Sequence, residues 1–205
     1  EFVPNDPRYS EQWAHQHVQS ELAWDIEKGD SNVILAFNDT GVDYNHVDLK
    51  TNVWMNSREI LNGVDDDNNG YIDDIKGWDF GDRDNDPMGD SYHGTHVAGI
   101  MAAVGNNNLG VSGICPRCVI MPLKITAGGM ISAGAAIQGF VYAADNGADV
   151  INDSWGGYGY YQALNDAVQY AVASGVLVVA SAGDDNFDTM VKPHYPSDYE
   201  NVLSV

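Results

Sequence analysis

Apolar, β-branched runs punctuate the chain at Val33–Phe37, Val119–Ile125, Val150–Asn152, Val176–Ser181 and Val202–Val205. Runs this short and this apolar are the mark of strands buried on both faces. Between them the period changes. Ser10–Trp24, Ser132–Asp145 and Tyr161–Ser174 carry apolar residues at helical spacing, and Gly147 and Gly175 stand where helix C-termini take glycine. Strands alternating with helices of this length predict an α/β fold: a doubly wound, mostly parallel sheet with helices on both faces. Ligands gather at the carboxyl ends of the strands in such a sheet.

One segment breaks the rhythm. Lys50–Met88 is polar, rich in Asp, Asn and Gly, and reads as irregular. A loop of that length in a compact domain is functional or ordered by metal. At the other end, Asn201–Val205 reads as a strand with no helix after it to cover the sheet. The expectation is therefore one catalytic domain over residues 1–205, incomplete at its C-terminal side, with an acidic loop region at 50–88.

Composition sharpens this picture. With 205 residues, 44% of them hydrophobic, the chain can bury one sizeable core. No uncharged apolar run reaches the ~18 residues that a membrane span needs. The opening residues have no basic region and no long apolar stretch, so no uncleaved signal peptide is read there. The net charge is −21, which repels nucleic acid and anionic lipid. Between Asp65 and Asp90 there are ten Asp but only Lys76 and Arg83 among the basic residues, a density that suggests bound metal. Cys115 and Cys118 form a lone Cys-x-x-Cys ahead of a strand. A four-cysteine zinc site is excluded; a local disulfide and two idle thiols both stay open.

Four motifs carry candidate chemistry. In Ile34-Leu35-Ala36-Phe37-Asn38-Asp39-Thr40-Gly41, a buried strand delivers the Asp39 carboxylate to its carboxyl end, and Thr-Gly turns the chain. In His93-Gly94-Thr95-His96-Val97-Ala98-Gly99, His93 opens a helix, where the dipole favours neutral imidazole. His96 is read as a packed structural residue. A His93/His96 zinc site is the metal alternative, but no Glu follows at zinc-protease spacing. Val150–Gly157 and Val178–Asp184 are strands that run out into small residues. They leave backbone exposed for an extended peptide to pair with.

In this order the four motifs resemble the subtilisin-like serine proteases, the subtilases, over essentially the whole chain. The resemblance is closest to the thermitase-like, calcium-stabilised branch, including Pro4-Asn5-Asp6-Pro7 and Ala23-Trp24-Asp25-Ile26. It implies that Asp39 orients the imidazole and that His93 acts as general base and then general acid. It implies that Ser154, Trp155 and Gly156 bind substrate backbone, and that Ala180, Ser181, Ala182 and Gly183 form one wall of the S1 pocket. The family's nucleophile sits in a Gly-Thr-Ser-Met-Ala motif, and no serine here lies in that context. Asp184 occupies the place of an asparagine whose amide donates into the oxyanion hole, which a carboxylate cannot do. A protonated Asp184 would still donate, and burial near Asp185 would favour that form; the alternative is that Asp184 turns outward as a surface acid and a neighbouring backbone N–H supplies the hole alone.

The same resemblance places calcium at Asp6 and Asp48 with Asn107 and the carbonyls of Val104, Leu109 and Val111, all hard oxygen ligands. A second resembling site comprises Asp79, Asp82, Asp84 and Asp86. Between them, Asp65, Asp67 and Asn69, then Gly70, match EF-hand loop positions, and Asp73 falls on position 9. Lys76 occupies position 12, so the expectation is an EF-like calcium turn without the EF-hand helices.

These readings imply a secreted, monomeric serine endopeptidase acting on polypeptides, with its own propeptide or a protein inhibitor as a further partner and no nucleic acid or membrane contact. The alternative from another class is an inactive calcium-binding pseudoprotease or peptide-binding fragment.

Overall fold

The computed structural model describes residues 2–205. Strands β1 (Ile34–Asp39), β2 (Trp78–Asp79), β3 (Val119–Lys124), β6 (Val150–Asp153), β7 (Leu177–Ala180) and β8 (Leu203–Ser204) form a six-stranded sheet in the order β2-β3-β1-β6-β7-β8. Every pairing within it is parallel. Strands β4 (Thr126–Ala127) and β5 (Met130–Ile131) make a separate antiparallel hairpin. The helices are α1 (Trp13–His17), α2 (Ser20–Trp24), α3 (Tyr92–Ala102), α4 (Ala133–Asp145) and α5 (Gln162–Ala173).

Period-two alternation along β1 divides the interior into two cores. Leu35 and Phe37 face α3, where they meet Ala98, Ala102 and Ile120. Ala36 faces the opposite way and joins Phe140 of α4 and Val168 of α5. Both faces of the central strands are therefore covered, as continuous apolar runs require. Ser132 starts α4 by accepting from the Ala135 amide.

Three expectations change. Ser10–Trp24 is not one helix: a 3₁₀ turn at Tyr9–Glu11 precedes α1 and α2, and Gln19 breaks the path with φ 58°. Five-residue helices do not persist on their own. These are tied to a distant loop, the His15 ring bonding the Ser112 carbonyl and the Trp24 indole that of Ile114, both at 2.9 Å. Lys50–Met88 is not wholly irregular, since it contributes β2 to the sheet edge. His96 is exposed rather than packed. The buried face of α3 is set by Gly94, Ala98 and Ala102 at i, i+4 and i+8, and His96 falls two residues off that register.

Cys115 and Cys118 are joined as a disulfide, which settles the question their spacing leaves open.

Candidate active site

Asp39 ends the central strand β1 with its side chain buried. Its Oδ1 accepts from the Thr40 amide at 2.6 Å and from Nδ1 of His93 at 2.7 Å. His93 lies in the first turn of α3, where the Ser91 side chain caps the helix by accepting from the His93 amide at 3.3 Å. A second tie, from the Gly94 amide to Thr40 Oγ1 at 3.0 Å, holds the helix start against the strand end. Glycine is required on both sides of this junction. A Cβ on Gly94 would lie 2.2 Å from the Gly41 carbonyl, and Gly41 itself has φ +81° with Pro87 O 2.7 Å from its notional Cβ. With Nδ1 committed to Asp39, Nε2 is left as the basic nitrogen, on a side chain that is 44% exposed. Among the described residues no serine hydroxyl bonds to Nε2.

Next to this pair, the main-chain N–H and C=O groups of Ser154, Trp155 and Gly156 carry no hydrogen bond among the described residues. The Trp155 indole donates to the Asn38 carbonyl at 2.7 Å and so fixes this stretch beside β1. The opposite stretch is more committed. Ser181 donates to the Asp153 carbonyl, and Ala182 donates to that of Val205. His194, which motif reading misses, accounts for how the two stretches are held. It is buried, its Nδ1 bonds the Ser181 carbonyl at 2.9 Å, and its ring closes on Gly156 and Gly183. Nothing in its own neighbourhood of the sequence marks it out. Asp184 lies exposed beyond Gly183, the outward-turned of the two alternatives; its neighbour Asp185 is engaged by the Tyr158 hydroxyl.

The acidic residues divide into three groups. Asp6 and Asp48 are both buried and both face the 104–111 loop. Asp6 accepts from the amides of Asn106 and Asn107 at 2.7 and 3.0 Å, and Asp48 accepts from Val111 N at 3.0 Å. The carbonyls of Val104, Leu109 and Val111 accept no hydrogen bond among the described residues, which leaves their oxygens free for a cation. Asn107 turns its amide nitrogen, not its oxygen, toward Asp48 at 2.7 Å. Its oxygen is taken by the Leu109 amide, so Asn107 is not placed as the oxygen ligand expected of it; the carboxylates of Asp6 and Asp48 with the carbonyls of Val104, Leu109 and Val111 are all-oxygen donors that fit calcium.

Asp79, Asp82, Asp84 and Asp86 do not converge. The ammonium of Lys124 stands 2.7 Å from Asp79, 3.0 Å from Asp82 and 3.7 Å from Asp90. Burial lowers the Lys124 pKa, but the hydrogen bonds it donates to Asp79 and Asp82 outweigh that and hold it above the ordinary lysine range. Asp84 instead accepts from the Asp86 amide, and Asp86 takes the Tyr44 hydroxyl. The chain thus supplies its own cation here, from a strand distant in sequence.

In the third group Asp67 gathers with Glu59 and Asp74, one oxygen from each lying within 4.8 Å of the others. Asn56 bridges Asp67 and Asp74, and the Tyr142 hydroxyl donates to Asp74. Burial, followed by this hydrogen bond to Asp74, holds the Tyr142 pKa above the ordinary tyrosine range. Asp65 caps the turn at Asn69 and Gly70, and Asp73 accepts from Asn62 and Gly63, so neither joins the cluster. Asn69 reaches it through Asp74 at 2.9 Å.

Among known families the chain matches the Subtilase family over residues 30–205. It is 38% identical over 206 residues to a thermophilic serine proteinase of Bacillus sp. (strain AK1), covering all of this chain and 45% of that protein. It is 37% identical to thermitase of Thermoactinomyces vulgaris, again over the whole chain, and covers 65% of it. The chain therefore spans between about half and two thirds of these relatives. Among solved structures, a protease from Pseudoalteromonas arctica PAMC 21717 superposes with TM-score 0.82 at 27% identity, over 99% of this chain and 65% of that one.

Proposed function

The chain belongs to the Subtilase family, and on that premise we propose that it is part of a serine endopeptidase that cleaves polypeptides. The observation that carries this reading is the 2.7 Å contact between His93 Nδ1 and Asp39 Oδ1 at the carboxyl end of the central strand. Asp39 holds the imidazole in the tautomer whose Nε2 can take a proton, and stabilises the imidazolium once formed. The serine that gives up that proton is contributed from outside these 205 residues. Substrate pairs as an extended strand with the free backbone of Ser154–Gly156, while Ala180–Gly183 lines the S1 pocket.

Calcium belongs to the same reading. Asp6, Asp48, Val104, Leu109 and Val111 would hold one ion, and Glu59, Asp67 and Asp74 offer a second place. Bound calcium neutralises carboxylates and ties loops; the hydrolytic step itself uses side chains alone. The protein is read as secreted, because millimolar calcium outside cells fills sites of modest affinity. Its partners are polypeptide substrates and a propeptide or protein inhibitor.

A serine-directed fluorophosphonate is expected to leave the 205-residue chain unlabelled and to label a form that carries the nucleophile. Stoichiometric labelling of Ser91, Ser154 or Ser181 would show the nucleophile to be elsewhere.

Asp184 favours a second reading, an inactive peptide binder. A carboxylate facing the oxyanion repels it, and loss of one donor there costs a factor of about 10²–10³ in turnover. Asp184→Asn is therefore expected to raise kcat at about pH 7–8 by roughly an order of magnitude or more, with KM little changed. Superimposable pH–rate profiles of the two forms would place residue 184 outside the oxyanion hole.

A further inference from the structure

Beneath the Asp39–His93 pair lies a polar group that the mechanism leaves unused. Asn38 and Asp153 occupy adjacent parallel strands, β1 and β6, and both side chains are buried to within 1% of complete. Asn38 Nδ2 donates to Asp153 Oδ1 at 3.2 Å and to the Ala136 carbonyl of α4 at 3.4 Å. Gly139 of α4 makes room for this amide, since a Cβ there would lie 2.2 Å from Asn38 Oδ1. Three buried atoms have no partner: Asn38 Oδ1, Asp39 Oδ2 and Asp153 Oδ2. All three are acceptors, and buried acceptors without donors are costly.

One proton changes this count. Placed on Asp153 Oδ2, it converts one unpaired acceptor into a donor for Asn38 Oδ1, whose amide already bonds Asp153 Oδ1. It also removes the second of two carboxylate charges from an enclosed space. Asp39 already accepts two hydrogen bonds at Oδ1, from Thr40 and His93, which suits the ionised form. Asp153 accepts from Asn38 at Oδ1 and leaves Oδ2 without a partner.

We infer that Asp153 is held as a neutral carboxylic acid beside Asn38, donating a hydrogen bond to Asn38 Oδ1, so that Asp39 is the single buried anion at this strand end and the one presented to His93. Asp153 touches no reacting atom. It is a positioning residue, acting through the strand end that carries Asp39. The inference deepens the peptidase reading, on which the role given to Asp39 rests. Burial, assisted by the charge of Asp39, pushes the Asp153 carboxyl well above the ordinary carboxylate range, against the pull of the side chains of Asn38 and Trp155. Asp39 is the charged group that faces it. From β7 the neighbours are Val179 and Ala180, and α4 brings Ala136 and Gly139, none of which titrates.

The sign of the pH dependence follows. The unfolded chain releases this proton near the ordinary Asp value of about 3.9, while the folded chain keeps it. Above that value stability falls as pH rises, until the folded carboxyl also ionises. The test is carboxyl ¹³C NMR on the protein, with Asp153→Asn identifying the resonance. At pH 6 the Asp153 carbon is expected at the shift of a protonated acid, where an ordinary Asp is about 99% ionised. An ionised shift at pH 6 would overturn the inference. The second arm compares folding equilibrium constants. Relative to Asp153→Asn, that of the unaltered protein should fall tenfold per pH unit above about pH 4. A ratio independent of pH, or one that rises, would equally overturn it. Neither arm depends on peptide hydrolysis, so failure of the peptidase reading would leave these results distinct.

Discussion

In a form of the protein that carries the nucleophilic serine, Asp39→Asn is expected to lower kcat by about 10⁴-fold while leaving the fold intact. The size of the loss comes from the tautomer. Asp39 Oδ1 accepts from His93 Nδ1, so the proton sits on Nδ1 and the lone pair on Nε2. An asparagine amide at the same place can turn its NH₂ toward Nδ1. That moves the imidazole proton to Nε2, where the ring can no longer accept from a hydroxyl. The strand end keeps its packing, because Asn and Asp have the same shape, at the cost of the Thr40 amide bond, which shares Oδ1 with His93. Steady-state hydrolysis of a peptide substrate measures the effect, with circular dichroism to confirm folding. A loss smaller than tenfold would remove Asp39 from the triad.

Calcium removal is expected to have the largest effect on stability. The chain has a net charge of −21, and Asp6 and Asp48 are buried where the 104–111 loop meets the N-terminal segment. Two like charges about 4 Å apart repel by about 1 kcal/mol in water and by about 4 kcal/mol near a protein surface. A ligand present at about 1,000 times its Kd stabilises by about 4 kcal/mol. At about 2–4 °C per kcal/mol for a chain of this size, chelation should lower Tm by roughly 8–16 °C. Differential scanning calorimetry in calcium and in excess chelator measures it, and limited proteolysis should then cut within Lys50–Met88. An unchanged melting curve would exclude calcium from these sites.

What was legible in the sequence was local. Asp39 and His93 sit in short motifs whose strand-end and helix-start positions follow from neighbouring residues, and the structure joins them across 54 positions. The strands were legible because buried parallel strands are continuously apolar. What escaped depends on partners far along the chain. Lys124 answers the acids of the 79–90 segment from a strand more than thirty residues away. Glu59 and Asp74 join Asp67 only because turns bring them together, and their spacing fits no loop template. His194 meets Ser181 through folding alone. The helical period of Ser10–Trp24 was real, but periodicity does not register the left-handed backbone at Gln19. Asn38 and Asp153 looked like strand residues, and their polarity acquires meaning only where the two strands lie side by side.

The contact of Asp6 with Asn106 and Asn107 closes a loop of 100 residues. Ring closure of that span costs a flexible chain roughly 4 kcal/mol of entropy, by the (3/2)RT ln n rule. The enclosed stretch contains β1, and β3 lies just beyond it; once those strands have paired, the span left to close is shorter and the cost falls to roughly 3.3 kcal/mol. Closure is cheaper after the sheet has formed than before it, so the N-terminal arm is expected to fasten onto strands already in order, and a cation bound at Asp6 and Asp48 would act as the latch on a finished body rather than as the seed of its assembly.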